Sequence, residues 1–196
     1  MFTDAARKYL RFLYEPPARL FSTLGVSPNV VTVVGFLLMI GIAIVLAQGY
    51  LFLGGLLIII AAIFDAVDGS LARMMDQTSR FGAFLDSTLD RYSEAMIFFG
   101  LFIHLSTQNQ QTSLILIYAT VVGSLMVSYA RARAEGIGVP LKDGLFTRFE
   151  RVFLLVVGLL FNQLTIVLWI LAVFSNLTAI QRMYLVWRMT GGEKGS

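Results

Sequence analysis

Four aspartates stand in two pairs, Asp65 with Asp68 and Asp86 with Asp90, in a chain otherwise poor in charge. Spacings of i, i+3 and i, i+4 put each pair on one face of a helix. The pairs flank a short polar loop from Met74 to Arg80. If the two carrier helices are antiparallel neighbours, all four carboxylates meet. Bare carboxylates crowded in a low dielectric repel one another strongly. Two divalent cations would neutralise them, and oxygen donors without His or Cys favour Mg²⁺, or Mn²⁺ as a substitute, over zinc. The alternative is that the aspartates merely pair with Arg73, Arg80 and Arg91. Two spaced pairs exceed what such pairing needs.

A second set of charges is cationic. Ser128-Tyr-Ala-Arg131-Ala-Arg133-Ala-Glu135 is followed by Arg148-Phe-Glu150-Arg151 and then by Arg182. Five arginines from three elements could form a pocket. A phosphate-monoester acceptor would need one, whereas an uncharged polyol would not. Positive-inside topology and anionic headgroups explain any one of these residues cheaply. They explain Arg151 and Arg182 less well, because both sit inside apolar runs.

These residues must be held by elements suited to a bilayer. The chain has 196 residues, about one domain's worth. Hydrophobic residues make up 57%, charged residues 14%, and the mean hydropathy is +0.78. A soluble domain of this size could not hide so much apolar surface. Disorder and nucleic-acid binding are excluded on the same ground, despite a pI of about 9.4. The absence of cysteine excludes a disulfide scaffold and a thiolate site, and the single histidine, His104, excludes multi-His zinc.

Spans need roughly 20 apolar residues. Six are expected: about Asn29–Ala47, Tyr50–Leu71, Phe81–Leu105, Ser113–Ala132, Phe146–Phe161 and Leu164–Val186. The expected fold is therefore an all-α integral membrane protein. From Asp4 to Leu24, Arg7, Lys8, Arg11 and Arg19 alternate with aromatic and aliphatic residues, the pattern of an amphipathic interfacial helix. Residues 1–28 thus form a juxtamembrane helix and entry loop, 29–188 the six-helix domain, and 189–196 a disordered tail. The turns after spans one, three and five contain no Lys or Arg. By the positive-inside rule both termini and the aspartate end are cytoplasmic, in a cell (plasma or inner) membrane.

The string Asp65-Ala-Val-Asp68-Gly69-Ser-Leu-Ala72-Arg73, eight residues, then Gly82-Ala-Phe-Leu-Asp86-Ser-Thr-Leu-Asp90 reproduces D-x2-D-G-x2-A-R-x8-G-x3-D-x3-D. In this it resembles the CDP-alcohol phosphatidyltransferase family at every fixed position and gap. The resemblance implies that two metal ions held by Asp65, Asp68, Asp86 and Asp90 grip the pyrophosphate of a CDP-linked lipid. It also implies that Asp90 deprotonates the acceptor alcohol and that CMP leaves. Gly69 would leave room for the nucleotide, and Arg73 would bridge the pyrophosphate. Ser27-Pro28-Asn29-Val-Val-Thr32 is similar to the family's entry motif, which places Asn29 and Thr32 near the nucleotide; plain helix capping is the other reading. Ser79 falls where relatives place a hydroxyl near the nucleotide, or is an ordinary loop serine.

The arginine segment is similar to that of the prokaryotic phosphatidylinositol-phosphate synthases. This implies CDP-diacylglycerol as donor, inositol 1-phosphate as acceptor on Ser128, Arg131, Arg133, Arg148, Arg151 and Arg182, and a homodimer among membrane lipids. Three departures bear on the acceptor. Arg148-Phe-Glu-Arg151 is one residue shorter than the usual spacing, Arg131 stands where relatives usually have Lys, and Phe149 where they often have Pro. Glycerol 3-phosphate is the alternative acceptor, giving a phosphatidylglycerol-phosphate synthase. A non-enzymatic cation transporter would place its site near the midplane. Asp65 instead lies about fifteen residues into its span, roughly 22 Å by helix rise and close to the cytoplasmic face.

Overall fold

The structure is a computed structural model that describes residues 15–141 and 144–191. Those residues are helical apart from short connections. Residues 15–23 form a helical stretch, and six longer helices follow: α1 (Pro28–Ala47), α2 (Leu51–Met74), α3 (Arg80–Thr107), α4 (Gln111–Gly136), α5 (Arg148–Leu160) and α6 (Leu164–Thr190). They belong to two compact units, one ending at His104 and one beginning at Leu105.

Apolar sequence makes these helices, and left-handed residues stop them. Among the described residues each connection between consecutive helices contains one residue with positive φ: Gly25, Gly49, Asp76, Asn109, Gly138 and Asn162. This conformation follows helix C-termini, and Gly, Asn and Asp adopt it at least cost. At Gly49 space matters as well as φ, since a Cβ there would lie 2.8 Å from the His104 ring. His104 thus packs on the α1–α2 turn.

In the first unit α1 packs on α2. A core of Ala18, Val31, Val67 and Leu71 fastens residues 15–23 to both helices, with Phe21 meeting Phe64 edge-on at 6.2 Å. Of the expected amphipathic helix, residues 4–14 lie outside the described residues. The 15–23 stretch buries Ala18 and exposes Leu20 and Arg19. Helix α3 approaches α1 so closely that a Cβ at Gly100 would sit 2.2 Å from the Ala43 carbonyl oxygen. A backbone atom cannot yield as a side chain can. Alanine has the better helix propensity by about 1 kcal/mol, but overpacking of this kind costs about 1–3 kcal/mol or more. Gly100→Ala is therefore expected to lower the unfolding temperature in detergent; an unchanged or higher value would contradict the close contact.

In the second unit α6 packs against both α4 and α5. The Asn176 amide crosses to α4, donating to the Ala119 carbonyl at 2.9 Å.

Among the described residues four helices, α1, α2, α4 and α6, are long and apolar enough to cross a membrane. Helix α3 carries Arg80, Asp86, Asp90, Arg91 and Glu94, too many charges for that criterion. Helix α5 has 13 residues, about 20 Å of rise against roughly 30 Å of hydrocarbon. Helix α6 continues through Thr190, past the expected start of the tail, and residues 192–196 lie outside the described residues.

Candidate active site

The α2–α3 hairpin positions the aspartates. Asp65 and Asp68 are on the last turns of α2, Asp86 and Asp90 on the early turns of α3, and the loop 75–79 joins them. Asp65, Asp86 and Asp90 each place a carboxylate oxygen within 4.8 Å of the others. All three are half-buried. At such a separation two like charges repel by about 3–4 kcal/mol at an effective dielectric constant near 20. Arg91 Nη1 stands 3.7 Å from Asp90 Oδ2 and also donates to the Ser87 carbonyl at 2.5 Å. Three convergent carboxylates at the end of a hairpin suit a hard divalent cation by charge and donor type.

Asp68 lies outside this triad. It is buried at 8% exposure; Thr32 Oγ1 donates to its Oδ2 at 2.7 Å, and the Gly69 N–H donates to its Oδ1. The fourfold convergence expected from the spacing is thus three carboxylates plus one held by α1.

The entry residues are divided in their contacts. Ser27 makes no side-chain cap bond; its carbonyl receives the Val30 and Val31 N–H groups. Asn29 Oδ1 and Ser79 Oγ both converge on Gly82, where a Cβ would lie 3.1 Å and 3.0 Å from them. Ser79 Oγ also accepts the Gly82 N–H at 2.9 Å, which caps α3. Capping and nucleotide contact are compatible roles for one hydroxyl. Gly69 lies near Arg73, whose Nη1 would be 3.6 Å from a Cβ at 69, and Arg73 is exposed.

A small cleft opens beside the triad. It is lined by Thr32, Gly35, Phe36, Met39, Ala61, Asp65, Leu89, Asp90 and Ser93. Ser93 is 7% exposed and was not singled out from sequence; its i+3 spacing from Asp90 was the available signal.

In the second unit the arginines have different surroundings. Arg151 and Arg182 are 2% and 4% exposed. Arg182 Nη1 donates to the Val127 carbonyl at 2.6 Å, one residue before Ser128, which is half-buried. Arg148 is half-buried too, while Arg131 and Arg133 are exposed on the last turns of α4. Arg131 Nε bonds Glu135 at 2.9 Å within its own helix. Glu150, from the same motif as Arg151, accepts the Thr147 N–H at 2.8 Å and the Thr147 hydroxyl. It closes a capping box at the start of α5.

The family model for CDP-alcohol phosphatidyltransferases matches residues 25–181. The chain belongs to this family. It is therefore an enzyme, and with its four apolar helices a membrane protein. The archaetidylinositol phosphate synthase of Pyrococcus horikoshii is 38% identical over 177 residues, covering 87% of this chain and 88% of that protein. The phosphatidylinositol phosphate synthase of Streptomyces avermitilis is 37% identical over 204 residues, covering 96% and 83%. The crystal structure of the Mycobacterium tuberculosis phosphatidylinositol phosphate synthase with CDP-DAG bound aligns at a TM-score of 0.84 and 32% identity. That alignment covers 88% of this chain and 92% of the other. The same mycobacterial enzyme has also been crystallised with manganese and citrate.

Proposed function

We propose that this phosphatidyltransferase moves the phosphatidyl group of CDP-diacylglycerol onto a hydroxyl of inositol 1-phosphate, forming phosphatidylinositol phosphate and releasing CMP. The triad of Asp65, Asp86 and Asp90 carries the reading, because three convergent carboxylates suit the cations that a pyrophosphate-transfer site requires. Asp68, oriented by Thr32, completes the ligand set for two Mg²⁺ ions, with Mn²⁺ as a substitute. Bound there, the cations supply Lewis-acid charge that neutralises the pyrophosphate and the departing CMP. Asp90 takes the proton of the acceptor hydroxyl. The acceptor oxygen then bonds the lipid-side phosphorus while the bond from that phosphorus to the bridging oxygen breaks. Asn29, Thr32, Gly69, Arg73 and Ser79 hold the CDP-lipid.

The acceptor phosphate falls to Ser128, Arg131, Arg133, Arg148, Arg151 and Arg182. Support comes from Arg182, whose guanidinium is held in place by the Val127 carbonyl, since a pre-positioned guanidinium suits bidentate binding of a phosphate. The names of the relatives support the same acceptor. We further propose that all six helices cross the membrane, with the catalytic domain running from residue 29 to the end of α6 at Thr190. Both termini face the cytoplasm of a plasma membrane, and the enzyme is a homodimer.

The test is a purified-protein assay with labelled CDP-lipid, in ester and ether forms, against inositol 1-phosphate, inositol, glycerol 3-phosphate and serine. Turnover with inositol 1-phosphate alone is expected; preferential turnover of glycerol 3-phosphate would replace the acceptor and keep the chemistry. On the same assay Arg151→Ala and Arg182→Ala should each raise the acceptor KM roughly ten- to a hundredfold, the worth of one charge-assisted hydrogen bond. The CDP-lipid KM should barely move. Arg131→Lys should be milder than Arg131→Ala, since Lys keeps the charge. Unchanged acceptor KM values in both buried-arginine variants would make those residues structural.

A further inference from the structure

Residues 144–147, which lead into α5, are fastened at every position. The Leu145 N–H donates to Gln181 Oε1 at 3.0 Å. The Phe146 ring meets Phe174 at 5.8 Å, and its carbonyl accepts a long 3.5 Å contact from Arg151 Nη1. The Thr147 N–H is taken by Glu150. Gly144 lies against the guanidinium of Arg182: a Cβ there would stand 2.9 Å from Nη2, 3.2 Å from Nε and 3.3 Å from Thr178 Cγ2.

The far end of an arginine is ordinarily free to step aside from such a contact. Arg182 is not, because it is buried and its Nη1 is tied to the Val127 carbonyl of α4. Its guanidinium is therefore held by α4 and lies so close to Gly144 that a side chain there would press on it. The position of Gly144 is in turn set one residue on by Gln181, which precedes Arg182 on α6. Arg151 touches the same four-residue segment from α5. One short piece of backbone thus borders both buried arginines.

We infer that Gly144 and Gln181 are positioning residues for the acceptor phosphate, acting through Arg182 and the segment 144–147. The inference deepens the acceptor reading above and rests on it. Residue 144 is short of space, since a Cβ there would meet both the Arg182 guanidinium and Thr178 Cγ2. Alanine would press chiefly on the guanidinium, at 2.9 Å and 3.2 Å, and less on Thr178 Cγ2, at 3.3 Å. Gln181→Met keeps the side-chain volume and removes the oxygen that receives the Leu145 N–H.

The experiment measures KM for inositol 1-phosphate, KM for CDP-diacylglycerol, kcat and unfolding temperature on the full-length enzyme and on Gly144→Ala, Gln181→Met and Arg182→Ala. Gly144→Ala and Gln181→Met are each expected to raise the acceptor KM about three- to tenfold, the scale of a displacement below 1 Å in a binding group. Their kcat and CDP-lipid KM should stay within about twofold of the unsubstituted enzyme, as expected when a residue contributes only to acceptor binding. If Arg182→Ala raises the acceptor KM while neither positioning variant does, the inference is wrong and the acceptor reading stands. If Arg182→Ala also leaves that KM unchanged, the inference and the assignment of Arg182 to the acceptor phosphate are both wrong. Equal losses in kcat and both KM values, or loss of folding in both positioning variants, would mark a general structural role and overturn the inference as well.

Discussion

Asp65→Asn, Asp68→Asn and Asp86→Asn are each expected to give folded protein with no measurable turnover, and excess EDTA should abolish the activity of the unsubstituted enzyme. The electrostatics separate this outcome from simple damage to the fold. Asp65, Asp86 and Asp90 crowd three carboxylate oxygens within 4.8 Å, a mutual repulsion of about 3–4 kcal/mol per pair near an effective dielectric constant of 20. Removing one charge at Asp65 or Asp86 relieves part of that repulsion, so in EDTA these variants should unfold no earlier than the parent. The parent should gain stability as Mg²⁺ is added, because a ligand bound only by the native state stabilises it by mass action. The two variants should lose that gain. Asp68→Asn tests a different contact, since its side-chain oxygen can still accept the Thr32 hydroxyl while the charge is gone. Full activity in excess EDTA would rule out the metal reading. A marked drop in the unfolding temperature of Asp65→Asn in EDTA would mean that the carboxylate serves ion pairing in the fold.

Asp90→Asn should lower kcat by about 10²–10⁴-fold, the usual contribution of a general base, with little change in CDP-lipid KM. Asp90 has two claims on it, as a member of the triad and as the partner of Arg91 at 3.7 Å. The two can be told apart. A base removed without loss of metal leaves the Mg²⁺-dependent stabilisation in place while turnover collapses. A ligand removed takes both the stabilisation and CDP-lipid binding with it. If rate and lipid binding fall in equal measure, Asp90 is chiefly a ligand, and the base must be sought elsewhere in the cleft that Ser93 also lines.

Local pattern made much of this molecule legible. The motif from Asp65 to Asp90 named the family, which the match over residues 25–181 then established. Apolar runs located all six longer helices, with four of them meeting the length and composition of a span. The remaining two show where composition runs out as a guide. Helix α3 mixes its apolar residues with the charges of the site, and α5 is cut to 13 residues by the Thr147–Glu150 capping box at one end and Asn162 beyond the other. Arg151 and Arg182 stood out because charges within apolar runs need a reason, and both are buried.

Sequence by itself determined which residues share a helix face, because helical periodicity is a property of a few consecutive positions and needs no knowledge of the neighbours. It put Asp65 with Asp68, Asp86 with Asp90, and charge at one end of the helices. Tertiary structure alone decided which oxygens converge. Thr32 and Asp68 are 36 residues apart, and their 2.7 Å hydrogen bond depends on the register between α1 and α2, which no local spacing encodes. The same holds for Arg182, which reaches Val127 across 55 residues; the Arg131–Glu135 pair, four residues apart on one helix, is by contrast of the kind local spacing encodes. Spacing specifies faces; how helices cross and slide against one another specifies contacts, and those follow from close packing such as that of Gly100 on the Ala43 backbone.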